Sequence, residues 1–134
     1  MRIAICIGTF QRPQLLQRLL AALRDLRFRR ITTPTIAVIV VDNDLARTAE
    51  EICEGVDLPW TIQYVCEPRR GIARVRNRAI REAGYFDFLV FIDDDEIPDS
   101  RWLDELLATQ EQFSAATNLQ GAIASRGQGD RFTG

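Results

Sequence analysis

The chain contains no histidine and no lysine. All 17 of its basic residues are arginine, set against 19 acidic ones. Without histidine there is no Ser–His or Cys–His nucleophile pair. Without lysine there is no Schiff base and no lysine-bearing phosphate loop. Cys6, Cys53 and Cys66 are too few and too scattered for a cysteine-only zinc site. Their odd number suggests a reducing compartment and small buried hydrophobes. No apolar run approaches the ~18 residues of a membrane span, and Ile3 to Ile7 is too short for a signal peptide. Any acid–base chemistry in this chain therefore falls mainly to carboxylates.

What is present fits one ordinary domain. The 134 residues are 46% hydrophobic, enough for a real core. A net charge of −2 points to neither nucleic acid nor an anionic membrane. Short runs rich in β-branched residues alternate with helical periodicity. Strands are expected at Ile3–Ile7, Thr35–Val41, Trp60–Cys66 and Phe88–Ile92. Helices are expected from Pro13, with a leucine stripe from Leu15 to Leu26, over Arg47–Glu54, over Ile72–Ala83 and from about Asp99. The second strand is almost continuously apolar, as in a sheet covered on both faces. The alternation predicts an α/β fold, Rossmann-like, with a mainly parallel sheet of about four strands flanked by helices. The segment after about Ala115 has weaker pattern. Gln120–Ala124 could begin another strand, and the polar, glycine-rich stretch from Ser125 to Gly134 reads as loop or frayed tail. The organisation expected is a nucleotide-binding α/β domain over 1–113, then the start of a following segment or a tail over 114–134.

In open α/β sheets, ligands bind beyond the carboxyl ends of the strands. Polar residues gather at those ends here. Thr9 follows the first strand, Asp42-Asn43-Asp44 the second, Glu67 with Arg69 and Arg70 the third, and Asp93-Asp94-Asp95 the fourth. Acid runs are often only solvated turns, but this one closes a buried strand. Asp93 and Asp95 can lie on one side while Asp94 points elsewhere. Two converging carboxylates repel unless a cation lies between them. Mg²⁺ or Mn²⁺, which takes one or two carboxylates plus a ligand's phosphates, removes that cost.

Residues 69–81 hold six arginines in thirteen positions. Most read simply as a solvated face paired with Glu67 and Glu82. Arg70 and Arg74 lie nearest the proposed rim, and Gly71 stands where backbone amides can approach an anion. The run lacks interleaved aromatics, so nucleic acid is not expected as a partner.

Four stretches in order resemble the inverting family-2 glycosyltransferases, which have the GT-A fold: "IAICIGTFQRP", "IAVIVVDND", "EPRRGIARVRNRAI" and "FLVFIDDDEIPDSRWL". The first is similar to that family's Thr-aromatic-x-Arg-Pro turn, the last to its Asp-x-Asp metal motif. The resemblance covers about residues 1–113 and implies a nucleoside-diphosphate sugar as donor. It implies that Thr9, Asp42 and Asn43 hold base and ribose, and that Gly71 and the Arg74–Asn77 region lie near base or diphosphate. It implies that Asp93 meets the ribose or metal, that Asp94 belongs with the nucleotide-binding residues, and that Asp95 coordinates Mn²⁺ or Mg²⁺. The acceptor would be a hydroxyl of a saccharide, lipid or protein. Family catalytic domains usually run longer, and the later part supplies most of the acceptor site and a carboxylate base. No such base stands out here; Asp130 falls in unpatterned sequence. The expected activity is sugar transfer with inversion, in the cytoplasm, with room for peripheral membrane association of a longer parent. Two other readings remain: a non-catalytic nucleotide- and metal-binding module, and a phosphoacceptor of the receiver-domain kind. The missing lysine, and acids after strands two and four rather than one and three, argue against the last.

Overall fold

The computed structural model describes residues 1–117 and 122–125. Its strands are β1 (Arg2–Thr9), β2 (Thr35–Asp42), β3 (Thr61–Cys66), β4 (Phe88–Asp93) and β5 (Ala122–Ser125). Its helices are α1 (Pro13–Arg24), α2 (Glu50–Gly55), α3 (Ile72–Ala83) and α4 (Trp102–Thr117). The strands form one sheet in the order β3-β2-β1-β4-β5, and every pairing is parallel. The four expected strands are joined by a fifth, β5, within the segment around Gln120–Ala124 that could begin another strand. β5 pairs with β4 through Phe88↔Ala122 to Phe91↔Ser125. α4 runs through position 113, and β5 joins the same sheet. The sequence from 126 to 134, with Asp130, lies outside the described residues, as does the side chain of Phe113.

Period-two alternation divides the core into two layers. Ile3, Ile5 and Ile7 of β1, Ile36, Val38 and Val40 of β2, and Val90 and Ile92 of β4 face α1, α2 and α4. α1 begins with Pro13 in its first turn, which suits the fixed proline φ, and buries Leu16, Leu19, Leu20 and Leu23. Full burial of such a side chain is worth about 1.5–3 kcal/mol. α4 adds Trp102, Leu103 and Leu107 to that layer. The Trp60 indole closes its edge by donating to the Leu23 carbonyl at 2.8 Å.

The opposite layer is thinner. Among the described residues, Ala4, Cys6, Ile39, Val41, Val65, Leu89 and Phe91 pack against α3 and Phe86. The stripe expected on α3 is only partly realised. Ala79 and Ala83 are buried, whereas Ile72 is 68% and Ile80 37% exposed. Small residues and Val75 let this helix lie close to the sheet, and Ile80 turns outward. Burial pushes the Cys6 and Cys53 thiols up to about 12, which keeps them as inert core groups. No helix among the described residues is long and apolar enough to cross a membrane.

Connectivity fixes where a ligand can enter. From β1 the chain moves outward through β2 to β3, then returns to place β4 on the other side of β1. The loops after β1 and β4 therefore diverge and leave a crevice between their tips, at the topological switch point of the sheet. The register sets Gly8 beside Asp93 there.

Candidate functional site

A cavity of about 450 Å³ occupies that switch point. It is lined from β1 and its loop by Gly8, Thr9, Phe10 and Arg12. Asn43 lines it from the end of β2, and Arg70, Gly71, Ile72 and Val75 from the start of α3. Asp93, Asp94 and Asp95 close it at the tip of β4.

The close approach of α3 depends on a glycine. A Cβ built on Gly8 would stand 2.7 Å from Val75 Cγ1, so the helix rests directly on the β1 backbone. Gly71 enters the helix at φ 133°, ψ 144°, a conformation open essentially to glycine alone. Its N–H donates to Asn43 Oδ1 at 3.1 Å. The Asn43 amide in turn donates to the carbonyls of Glu67 and Arg69 at 2.7 and 2.8 Å. One side chain thereby ties the loop after β3 to the end of β2.

The two acidic strand ends are used differently. Asp42 is 0% exposed. Its carboxylate accepts from the Tyr64 hydroxyl at 2.7 Å and from the N–H groups of Ala49 and Asp44 at 3.0 and 3.2 Å. Burial, and the bond to Asp42, raise the Tyr64 pKa. Asp44 is held below its ordinary value first by the Ala46 N–H; burial opposes this, and Thr48, Gln11 and Arg70 add to it. Glu67 is depressed similarly, first by the Arg69 N–H, against burial, and then by Arg78. Arg78 bridges Glu67 and Glu82, both at 3.3 Å, the pairing expected of a solvated arginine face.

At the tip of β4 the central carboxylate turns inward. Asp94 is 6% exposed and accepts from the Thr9 hydroxyl at 2.9 Å and from Arg12 Nη1 at 3.3 Å. Burial raises its pKa; Thr9 and Arg12 pull it back, while Asp95 and Asp93 push it up. The strand ends in a tight turn, with the Glu96 N–H donating to the Asp93 carbonyl at 3.1 Å and the Asp93 N–H to Glu96 Oε1 at 3.3 Å.

Of the residues singled out in the sequence, Thr9, Asn43, Arg70, Gly71, Asp93, Asp94 and Asp95 line one cavity. Asp42, Arg74 and Asn77 do not line it. Asp42 is sealed beneath the rim, and Arg74 and Asn77 are exposed on α3. Sequence reading missed Gly8, Phe10, Arg12, Ile72 and Val75 as lining residues. The Arg70 guanidinium stacks over Phe10, 3.5 Å from the ring centroid, so the two together form one wall. The turn Thr9-Phe10-Gln11-Arg12-Pro13 carried the signal for Phe10 and Arg12, because it leaves the same strand end as Thr9.

No group of three or more His, Cys, Asp or Glu side chains among the described residues is arranged to hold a metal by itself. The donor set suits a hard cation of another kind. Asp93 and Asp95 border the cavity beside Asp94, and Mg²⁺ or Mn²⁺ is commonly held by one or two carboxylates plus a ligand's phosphate oxygens.

Comparison with known proteins agrees with this geometry. The model of Glycosyl transferase family 2 matches residues 4–133. The succinoglycan biosynthesis protein ExoM of Rhizobium meliloti (strain 1021) is 36% identical over 123 residues, which are 89% of this chain and 38% of that protein. The crystal structure of S. aureus TarS 1–349 superposes with a TM-score of 0.70 at 19% identity, over 84% of this chain and 33% of that one. The TarS complex with UDP-GlcNAc gives 0.67 over 84% of this chain and 32% of that one, also at 19% identity. The chain thus spans well under half the length of these relatives, and it belongs to glycosyltransferase family 2.

Proposed function

We propose that this chain forms the donor-binding part of a glycosyltransferase that moves a sugar from a nucleoside diphosphate to a hydroxyl acceptor with inversion. The observation that carries this reading is the crevice at the β1–β4 switch point, where Asp93 and Asp95 share a 450 Å³ cavity with Asn43, Arg70 and Gly71. Its size and its mixture of carboxylate, guanidinium and backbone suit a nucleotide better than a metal ion alone. The superposable TarS chain has been crystallised with UDP-GlcNAc and with UDP, which supports the same class of donor.

In the reaction, the bond from the sugar's anomeric carbon to the diphosphate oxygen breaks. A bond from the acceptor oxygen to that carbon forms on the opposite face. The acceptor proton passes to a base that no residue of this chain is assigned to be. A Mg²⁺ or Mn²⁺ held by Asp93, Asp95 and the diphosphate would neutralise charge developing on the leaving group. Arg70 places a cation on the same cavity, and Gly71 leaves room for backbone to approach the ligand. A reducing, cytoplasmic setting fits the three free cysteines.

The test is titration calorimetry of UDP into the chain with Mn²⁺ and with EDTA. Tighter binding with the metal is expected, and equal affinity in both solutions overturns the metal–diphosphate site. Release of UDP from a UDP-sugar with a hydroxyl acceptor present separates a transferase from a module that only binds.

A further inference from the structure

We infer that Thr9, Arg12 and Asp94 form a positioning latch that sets the tip of β4: all three acids line the crevice, and Asp94 serves to hold the tip through its bonds to the β1 wall, leaving Asp93 and Asp95 to meet the ligand. The inference rests on the reading of this crevice as a metal–diphosphate site and assigns a different job to its middle acid.

Three observations carry it. First, Asp94 has only 7% of its side chain accessible, and both of its oxygens have partners: Thr9 Oγ1 at 2.9 Å on Oδ2, and Arg12 Nη1 at 3.3 Å on Oδ1. Second, the partners come from the end of β1 and the loop after it, the opposite wall of the crevice, 85 and 82 residues away in sequence. These bonds therefore span the cleft between the two diverging loops instead of decorating one of them. Third, Thr9 is only 5% exposed and its backbone carbonyl accepts from the Asn43 N–H at 2.8 Å. The anchor is thus fixed from below, and the Thr9–Asp94 bond carries that fixity across to the tip of β4.

The chemistry gives the latch its purpose. Three consecutive carboxylates on one rim repel one another. Asp94 sits in the turn that closes the strand, and bonding its carboxylate to the β1 wall takes one of the three charges off the rim. A hydroxyl and a guanidinium satisfy the inward acid, and a buried carboxylate deprived of them would swing out toward its neighbours. Thr9 supplies the buried, short bond. Arg12, 53% exposed, supplies the weaker, solvent-screened one.

The test uses Thr9→Val, which keeps the shape and removes the hydroxyl, Thr9→Ser, which restores it, and Asp94→Asn. Hydrogen exchange in a peptide covering residues 91–97 reads the turn closed by the Asp93 and Glu96 amides. Thr9→Val and Asp94→Asn should each raise that exchange about tenfold, and Thr9→Ser should recover most of it. UDP titration should lose about tenfold in affinity with Mn²⁺ and little with EDTA. The two substitutions combined should cost no more than either alone. Arg12→Gln should give the same pattern, weaker. Unchanged exchange in Thr9→Val overturns the latch. Equal losses with Mn²⁺ and with EDTA overturn it too, because Thr9 then touches the nucleotide directly. A native chain whose UDP affinity ignores Mn²⁺ sinks the metal site instead, and the exchange measurement still decides the latch.

Discussion

Two strand ends carry nearly the same word, Asp-Asn-Asp after β2 and Asp-Asp-Asp after β4, and the fold uses them in opposite ways. At β2 the protein consumes the acids. Asp42 is sealed against Tyr64 and two backbone amides, and Asp44 caps its own loop through Ala46 and Thr48. At β4 all three acids line a cavity, and the middle one is also bonded back to Thr9 and Arg12. An Asp-x-Asp pattern at a strand end is thus an architectural brace in one place and part of a cavity wall in the other. The difference lies in the neighbours. β2 runs between β1 and β3 and its loop folds back over their ends, whereas β4 sits where the chain reverses direction across the sheet.

The comparison breaks most forcefully at Asp42. Asp42→Ala strands the Tyr64 hydroxyl and the Ala49 amide in a buried setting and should cost about 4 kcal/mol, read from the urea midpoint. A loss below about 1 kcal/mol would mean that the β2 acids are not braces.

Asp104 extends the class of consumed acids. It accepts from the N–H groups of Arg29, Arg30 and Ile31 at 3.0 to 3.1 Å and docks that loop on α4. Asp104→Ala should cost about 3 kcal/mol at neutral pH. Burial pushes its pKa up, but the three amides more than offset this and leave it below the ordinary 3.8. A depressed folded value means that the charged form is favoured in the native state. The contribution is therefore full above about pH 4 and fades as pH falls from there through the folded pKa. The gap between native and Asp104→Ala midpoints should be constant from pH 7 to 5 and narrow at pH 3.

A methyl at Gly8 would meet Val75 Cγ1 at 2.7 Å and push α3 off the sheet beside the crevice. Gly8→Ala should cost about 2 kcal/mol by thermal melting and should weaken UDP binding as well.

The smallest effect on stability sharpens the contrast. Asp95→Ala should leave the urea midpoint nearly unmoved and remove about tenfold of Mn²⁺-dependent UDP affinity, about 1.4 kcal/mol. If Asp95→Ala unfolds the chain while Asp42→Ala only weakens binding, the two roles are reversed.

Much of the scaffold was legible because its signals are local. Ile72–Ala83 matches α3 at both ends, with Gly71 and Gly84 as punctuation, and the apolar runs of β2 and β4 mark strands buried on both faces. α2 starts at Glu50 rather than Arg47, because Arg47 adopts φ 58° and opens a turn instead. β5 was only faintly marked, since four short residues carry little pattern. The strand-end rule brought Thr9, Asn43, Arg70, Gly71 and the β4 acids to one crevice, but it could not distinguish a carboxylate that faces the cavity from one that faces the protein. That distinction depends on Thr9 meeting Asp94, and on Tyr64 and Ala49 meeting Asp42, contacts set by tertiary packing. The resemblance set Arg74 and Asn77 near base or diphosphate; both are exposed on α3 and do not line the cavity.

The central position of β1 has a consequence for how the protein comes into being. Its partner β4 is synthesised some 80 residues later, and until then one whole edge of its backbone lacks a mate. Long-range parallel pairing of this kind is slow and leaves sticky, unpaired strands on display. A newly made chain therefore has β1, α1 and β2 in hand well before it has the residues of the crevice, and in that interval the β4 edge of β1 is still open to other strands.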